Sequence, residues 1–186
     1  MILIIDNYDS FTYNIYQYVG QFNDNLKVVK NDAISIQEIL KMKIEKIIIS
    51  PGPGRPEDSK VSLDCIHDLS DKIPILGICL GHQAIGVAFG CDVINSNQIV
   101  HGKTSMIDYT DNMLFKGLPN PFEATRYHSL IIDKKNFSED LEIIAEHDNM
   151  IMGVKHKQRP LYGVQFHPES IKTENGLKII ENFISL

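Results

Sequence analysis

Short apolar runs punctuate the chain at residues 2–5, 46–49, 73–76 and 161–166, each rich in isoleucine, leucine, valine or phenylalanine. Runs of that length, bounded by polar or turn-forming positions, predict strands. Between them the spacing changes. Residues 10–19, 34–40 and 61–69 place apolar side chains at helical intervals, with Ser10 positioned to open the first, and residues 82–89 form a further helix-like stretch. Alternation of strand and helix predicts an α/β fold: a three-layer α/β/α arrangement around an open, mostly parallel central sheet. From Asp92 to about Met152 the rhythm breaks. Runs at 106–109 and 130–132, with the turn signal Lys116-Gly117-Leu118-Pro119, predict antiparallel strands added to that sheet. No repeat, low-complexity tract or linker is visible, so residues 1–186 are expected to form one domain.

Composition narrows the class. With 43% apolar and 23% charged residues in 186, the chain is long enough for a real core and reads as a soluble globular protein. The net charge of −6 and the scatter of basic residues argue against a nucleic-acid or anionic-membrane partner. Met1-Ile2-Leu3-Ile4-Ile5-Asp6 lacks the basic flank and apolar core of a signal peptide, and no run spans a bilayer. Three cysteines without CxxC or disulfide-framework spacing point to the reducing cytoplasm. Cys65, within a helix pattern, and Cys91, just past a helix end, read as structural.

Cys79 is different. It sits in Gly77-Ile78-Cys79-Leu80-Gly81, between a predicted strand and a predicted helix. Flanking glycines at a strand-to-helix turn permit a tight, strained backbone that holds the central side chain clear of the sheet. A thiol there is expected to be exposed and to face a helix N-terminus, where free N–H groups favour the attacking thiolate and can steady an oxyanion. The alternative is a cysteine that simply packs.

A cysteine nucleophile needs a base, and the base needs an orienting group. His167 and Glu169, flanking Pro168, offer both. His82 is the rival base, three residues beyond the thiol but without a nearby acid. Cys79 with His82 and His167 with Glu169 also resemble pairs of metal ligands, yet no second close pair completes a zinc site; no metal is expected. His67, His147 and His156 fall in polar stretches expected at the surface, whereas His101 and His128 lie in loop-like sequence where binding is conceivable. Ser50-Pro51-Gly52-Pro53-Gly54 follows a predicted strand and suits a stiff loop whose amides approach a ligand, although a simple reversal would have the same composition. The residues alone thus point to acyl transfer through a thioester, ending in hydrolysis, with the acyl donor open.

Six segments, in order, resemble one family. They are Asp6-Asn7-Tyr8-Asp9-Ser10-Phe11-Thr12-Tyr13-Asn14, the Ser50 to Gly54 loop, Leu76-Gly77-Ile78-Cys79-Leu80-Gly81-His82-Gln83, His101-Gly102-Lys103-Thr104-Ser105, Arg126-Tyr127-His128-Ser129-Leu130 and Gly163-Val164-Gln165-Phe166-His167-Pro168-Glu169-Ser170. Together they resemble the class I, triad-type glutamine amidotransferases, and within them the small subunits of anthranilate or aminodeoxychorismate synthase. The resemblance implies that Cys79 attacks the side-chain amide of glutamine, with His167 moving the proton and Glu169 orienting it. It implies an oxyanion site on the N–H groups of Gly52 and Leu80, and substrate contacts from Gly52, Pro53, Gly54, Gln83, Ser129 and Leu130. His101, Gly102 and Lys103 would belong to the surface that meets a large, chorismate-binding subunit. No cofactor is implied in this chain; magnesium is expected on that partner. At Ser59-Lys60 the chain departs from many relatives, which bears on the movement of the loop beyond Gly54 or on partner contact.

The branch, anthranilate or aminodeoxychorismate or both, stays open in the sequence, with anthranilate the preferred reading. A free-standing cysteine hydrolase of the γ-glutamyl hydrolase type and a non-enzymatic module with this fold are the other classes. The intact Cys79, His167 and Glu169 argue against the module, and the His101 to Ser105 segment with the short chain argues against the free-standing hydrolase.

Overall fold

A computed structural model describes residues 1–96 and 100–186. Along the chain run β1 (Ile2–Asp6), α1 (Thr12–Gly20), β2 (Leu26–Lys30), α2 (Ile36–Leu40), β3 (Lys46–Ile49), α3 (Lys60–Leu69), β4 (Ile75–Ile78) and α4 (Leu80–Ala88). There follow β5 (Val93–Asn95), β6 (Lys103–Tyr109), β7 (Phe122–Arg126), β8 (Leu130–Ile132), β9 (Leu141–His147), β10 (Met150–His156), β11 (Leu161–Val164) and α5 (Gly176–Ile184). The main sheet has nine strands in the order β2-β1-β3-β4-β11-β10-β9-β6-β7, and β5 pairs with β8 in a separate two-stranded ribbon. The five strands from β2 to β11 are parallel, and the rest of the sheet continues antiparallel.

Alternation along β1 explains the three layers. Ile2 and Ile4 face a core filled by Ile15 and Val19 of α1 and Ile179, Ile180 and Phe183 of α5. Leu3 and Ile5 face the opposite core, with Val61, Cys65 and Ile66 of α3 and Ala84 and Ile85 of α4. A central strand covered on both sides must be apolar at every position, which is why its sequence runs without interruption. The first core also holds Phe115, Phe122 and Phe166, whose rings meet at centroid distances of 5.4 to 6.4 Å.

Several details differ from the sequence reading. The third strand begins at Ile75 rather than residue 73, because Pro74 has no N–H to give a neighbour and the ladder with β11 starts at Ile75. β11 ends at Val164. β2 has no counterpart among the predicted runs: its lysines interrupt the apolar pattern, as suits an edge strand that is only half covered. α5 also lies outside the predicted elements. Ser10 does not cap α1; Phe11 occupies that place, and the Asp9 carboxylate accepts its N–H at 2.7 Å. α2 instead has a capping box, Ser35 with Glu38. His156, expected at the surface, is buried against Phe89 at 4.8 Å between centroids. Cys65 and Cys91 are buried and free, and burial pushes the Cys65 thiol up to about 12. Among the described residues no helix is long and apolar enough to cross a membrane.

Candidate active site

The turn from β4 into α4 is strained at one residue. Cys79 caps α4 with φ 52° and ψ −97°, a conformation that costs a non-glycine residue about 1–3 kcal/mol. Its ends are pinned: Cys79 N–H donates to the Val164 carbonyl at 2.8 Å, and its own carbonyl accepts Gln83 N–H at 3.1 Å. The neighbouring glycines serve close approach rather than unusual dihedrals. A Cβ on Gly77 would lie 2.4 Å from the Gly81 carbonyl, and one on Gly81 would lie 2.5 Å from the Ile49 carbonyl. The thiol is also less open than the sequence suggests, with Cys79 only 6% exposed.

Strand pairing brings the second component in. β4 and β11 are adjacent and parallel, with Ile78 opposite Val164, so both chains leave the sheet at the same end. There His167 N–H donates to the Thr125 carbonyl at 2.9 Å, and the His167 carbonyl accepts the Thr173 hydroxyl at 2.8 Å. Its Nδ1 meets Glu169 Oε1 at 2.6 Å, and its Nε2 is buried with no hydrogen-bond partner. Tyr127 and Phe11 flank the ring edge-on at 5.0 and 6.2 Å. Burial opposes a charged ring here, but the Glu169 carboxylate and the Cys79 thiol outweigh it and hold the His167 pKa well above the ordinary histidine value. A cation is therefore favoured beside the sulfur.

His82 takes no part in this cluster. Its ring is fully buried, Nδ1 lies against the Gly163 backbone, and neither nitrogen makes a hydrogen bond. Burial pulls its pKa down to about 3, with an approach to Gly163 offsetting part of the effect and His128 adding to it. The rival base is thus a neutral core imidazole. Among the described residues no group of three or more His, Cys, Asp or Glu side chains is arranged to hold a metal.

A cleft of about 190 Å³ opens above Cys79. Gly52, Pro53 and Gly54 form one wall, Leu80 and Gln83 flank the thiol, and Ser129 and Leu130 close the far side with Tyr127 and His128. The predicted backbone and side-chain contacts therefore converge on one space. Gly52 is a glycine because a Cβ there would lie 2.4 Å from the Asn7 carbonyl and 3.1 Å from Leu80. Asn7 ties this loop down: its N–H donates to Ser50 Oγ at 2.8 Å and its Nδ2 to the Ser50 carbonyl at 2.9 Å. Ser59, the point of departure in the sequence, donates its hydroxyl to Asn7 Oδ1 at 2.5 Å and accepts from the Ser62 hydroxyl at 2.6 Å, so it fastens the loop to the same buttress.

His101 to Lys103 lies at the rim and not in the cleft. His101 is exposed and stacks edge-on against Tyr127 at 5.3 Å, Gly102 has φ 68° and N–H bonded to the Arg126 carbonyl, and Lys103 opens β6. Tyr127, Phe11 and Gln165 are the side chains at the site to which the sequence reading assigned no role. Each stands inside one of the six family segments, but nothing local distinguishes it from its neighbours.

The profile of the glutamine amidotransferase class-I family matches residues 3–186. Anthranilate synthase component 2 of Pyropia yezoensis is 55% identical over 186 residues, covering 99% of this chain and 98% of that one. Aminodeoxychorismate/anthranilate synthase component 2 of Bacillus subtilis is 46% identical over 185 residues, 99% of this chain and 95% of that one. The bifunctional protein TrpGD of Thermotoga maritima is 50% identical over 188 residues, but the chain spans only 32% of its length. Among solved structures, a putative GMP synthase subunit from Thermoplasma acidophilum superposes with a TM-score of 0.87 at 26% identity, over 99% of this chain and 92% of that one.

Proposed function

The chain belongs to the class I glutamine amidotransferases, and from that premise we propose that it is the glutamine-hydrolysing component of an anthranilate synthase, acting through Cys79, His167 and Glu169. One observation carries the catalytic assignment. The His167 ring has Nδ1 locked to Glu169 at 2.6 Å, while Nε2, buried and without a partner, is left for the sulfur and the reacting nitrogen.

The chemistry follows from that arrangement. With the proton on His167, the Cys79 thiolate attacks the side-chain amide carbon of glutamine, and the carbonyl π pair moves to oxygen. The N–H groups of Gly52 and Leu80 receive this oxyanion; Leu80 stands at the first turn of α4, where N–H groups lack helical acceptors. Collapse of the adduct breaks the C–N bond as His167 gives its proton to the leaving nitrogen, releasing ammonia and a γ-glutamyl thioester. The neutral ring then takes a proton from water, which attacks the thioester, and glutamate leaves as the sulfur recovers its electron pair. Glu169 keeps the imidazole in one orientation throughout and stabilises its charged form.

Ammonia released into water is protonated and ceases to be a nucleophile. We therefore assign it to a second, larger subunit that binds chorismate with magnesium and receives it through a sheltered passage. The His101 to Lys103 rim beside Tyr127 is the surface proposed to meet that subunit, and residues 1–186 are taken to act as a single amidotransferase domain in the cytoplasm. Identity to proteins named anthranilate synthase component 2 supports this reading. The relative named for both synthases supports a second one, in which this chain also serves an aminodeoxychorismate synthase.

The test uses the purified chain with each large subunit, chorismate, magnesium and glutamine. Anthranilate formation dependent on Cys79 is expected; aminodeoxychorismate with the other subunit would establish the shared role. A glutamine-like electrophile should label Cys79, located by mass spectrometry. Labelling elsewhere, or glutamine hydrolysis that survives Cys79→Ala, would overturn the assignment.

A further inference from the structure

Four groups form a hydrogen-bonded chain behind the nucleophile. Gln83 Nε2, on α4, donates to the Leu130 carbonyl at 3.0 Å and to Gln165 Oε1 at 3.1 Å. Gln165 Nε2 in turn lies 3.5 Å from Cys79 Sγ. Gln165 is completely buried, and its backbone N–H is fixed to the Met152 carbonyl at 2.9 Å, so the side chain leaves the end of β11 from a rigid base.

The direction of each bond in this chain is forced. A main-chain carbonyl only accepts, so the Leu130 oxygen demands the NH2 end of the Gln83 amide. That NH2 group has a second hydrogen, which selects the oxygen of Gln165. With its oxygen engaged, Gln165 must turn its own NH2 toward the sulfur. The Leu130 carbonyl also meets His128 Nδ1 at 3.1 Å, which places a proton on that nitrogen; burial first and the Arg126 charge second lower the His128 pKa to about 4 against this bond and keep the ring neutral. Both amide hydrogens of Gln83 are consumed, so its oxygen is the atom left to face the cleft. A ligand held there must offer a donor, as the α-ammonium of an amino acid does.

We propose that Gln165 is a positioning residue for the nucleophile: its amide N–H group donates to the Cys79 sulfur and favours the thiolate, and through Gln83 it joins the attacking end of the site to the end that holds the amino-acid group of the substrate. This rests on the reading of Cys79 as nucleophile and Gln83 as a substrate contact. A donor aimed at sulfur is used most when the sulfur is anionic, since bonds to ionised groups are about twice as strong as neutral ones. The titratable groups facing the sulfur are few. His167 is the near one, with Glu169 behind it and Asp9 within electrostatic reach of that pair; His82 is turned toward Gly163, and His128 toward Leu130.

The experiment measures alkylation of Cys79 by iodoacetamide against pH in the full chain, with the modified residue identified by mass spectrometry, alongside steady-state glutamine hydrolysis. Gln165→Met keeps the length and removes the donor. Its alkylation midpoint is expected about one pH unit higher, equivalent to about tenfold less thiolate below the midpoint. kcat should fall while KM for glutamine stays close to wild type. Gln165→Glu, which sets a carboxylate beside the sulfur, should shift the midpoint further in the same direction. Gln83→Met should raise KM and also raise the midpoint, because the relay then loses its fixed polarity. Should Gln165→Met not fold, Gln165→Asn, too short to reach the sulfur, reports the same shift. A midpoint and kcat indistinguishable from wild type in folded Gln165 variants would overturn the inference and leave the proposed function standing. Absence of glutamine hydrolysis in the wild-type protein, both alone and with either large subunit, would instead overturn the function and leave the alkylation comparison intact.

Discussion

Replacing His82 with leucine should remove part of the acid sensitivity of the fold. His82 is fully buried without hydrogen-bond partners, and its pKa falls from 6.5 to about 3, mainly through burial. Because the folded value is depressed, its contribution is complete above about pH 6.5 and is lost as the pH falls toward 3. Between pH 7.5 and pH 5 the unfolded chain gains a proton that the folded chain refuses, which lowers stability by about 2 kcal/mol. For a chain of this size that is about 4–8 °C in Tm. The assay is calorimetric melting of wild type and His82→Leu at both pH values. At pH 7.5 the two should differ by no more than about 1 kcal/mol, since the substitution exchanges buried, unpaired nitrogens for an apolar side chain. At pH 5 the variant should have lost several degrees less than wild type. His128, with a pKa of about 4, keeps its own share of the pH dependence in both proteins. Equal losses in the two proteins would refute the claim that His82 is held neutral in the core.

Two other substitutions probe the site from opposite directions. Glu169→Gln removes the largest influence holding the proton on His167, so kcat for glutamine hydrolysis should fall by about 100-fold with KM little changed; the proton on the ring, followed by NMR, should be lost at lower pH than in wild type. Gly81→Ala sets a Cβ 2.5 Å from the Ile49 carbonyl, and the forced separation of the turn from β3 should cost about 2–3 kcal/mol in denaturant melts and displace Cys79 enough to lower kcat.

How far these features could be read before folding depends on whether their cause is local. The glycines at 77 and 81 announced a tight turn, but their physical role lies elsewhere. Each glycine makes room for another piece of backbone, and the strain sits on Cys79 itself, at φ 52°. β2 was hidden because a half-covered edge strand mixes lysine with valine. His156 misled for a related reason: lysines on either side made it look solvated, while alternation along β10 turned it inward against Phe89. Gln165 carries no signal of its own, since an amide gains its role only from the acceptor at Leu130 and the sulfur at Cys79.

From the order of residues alone came the strand and helix alternation, the parallel core with its antiparallel extension, and six segments that together identify the family. The alternation and the sheet follow from hydrophobic period and turn chemistry, which act over a few neighbouring positions, whereas the family shows in the likeness of whole segments. Pairing of β4 with β11 was decided only in three dimensions, and with it the meeting of Cys79 and His167 at one end of the sheet. So were the burial that leaves His82 a neutral ring in the core and the direction of every hydrogen bond behind the sulfur. Desolvation and donor geometry are properties of a packed interior, and they have no value until distant parts of the chain enclose the same space.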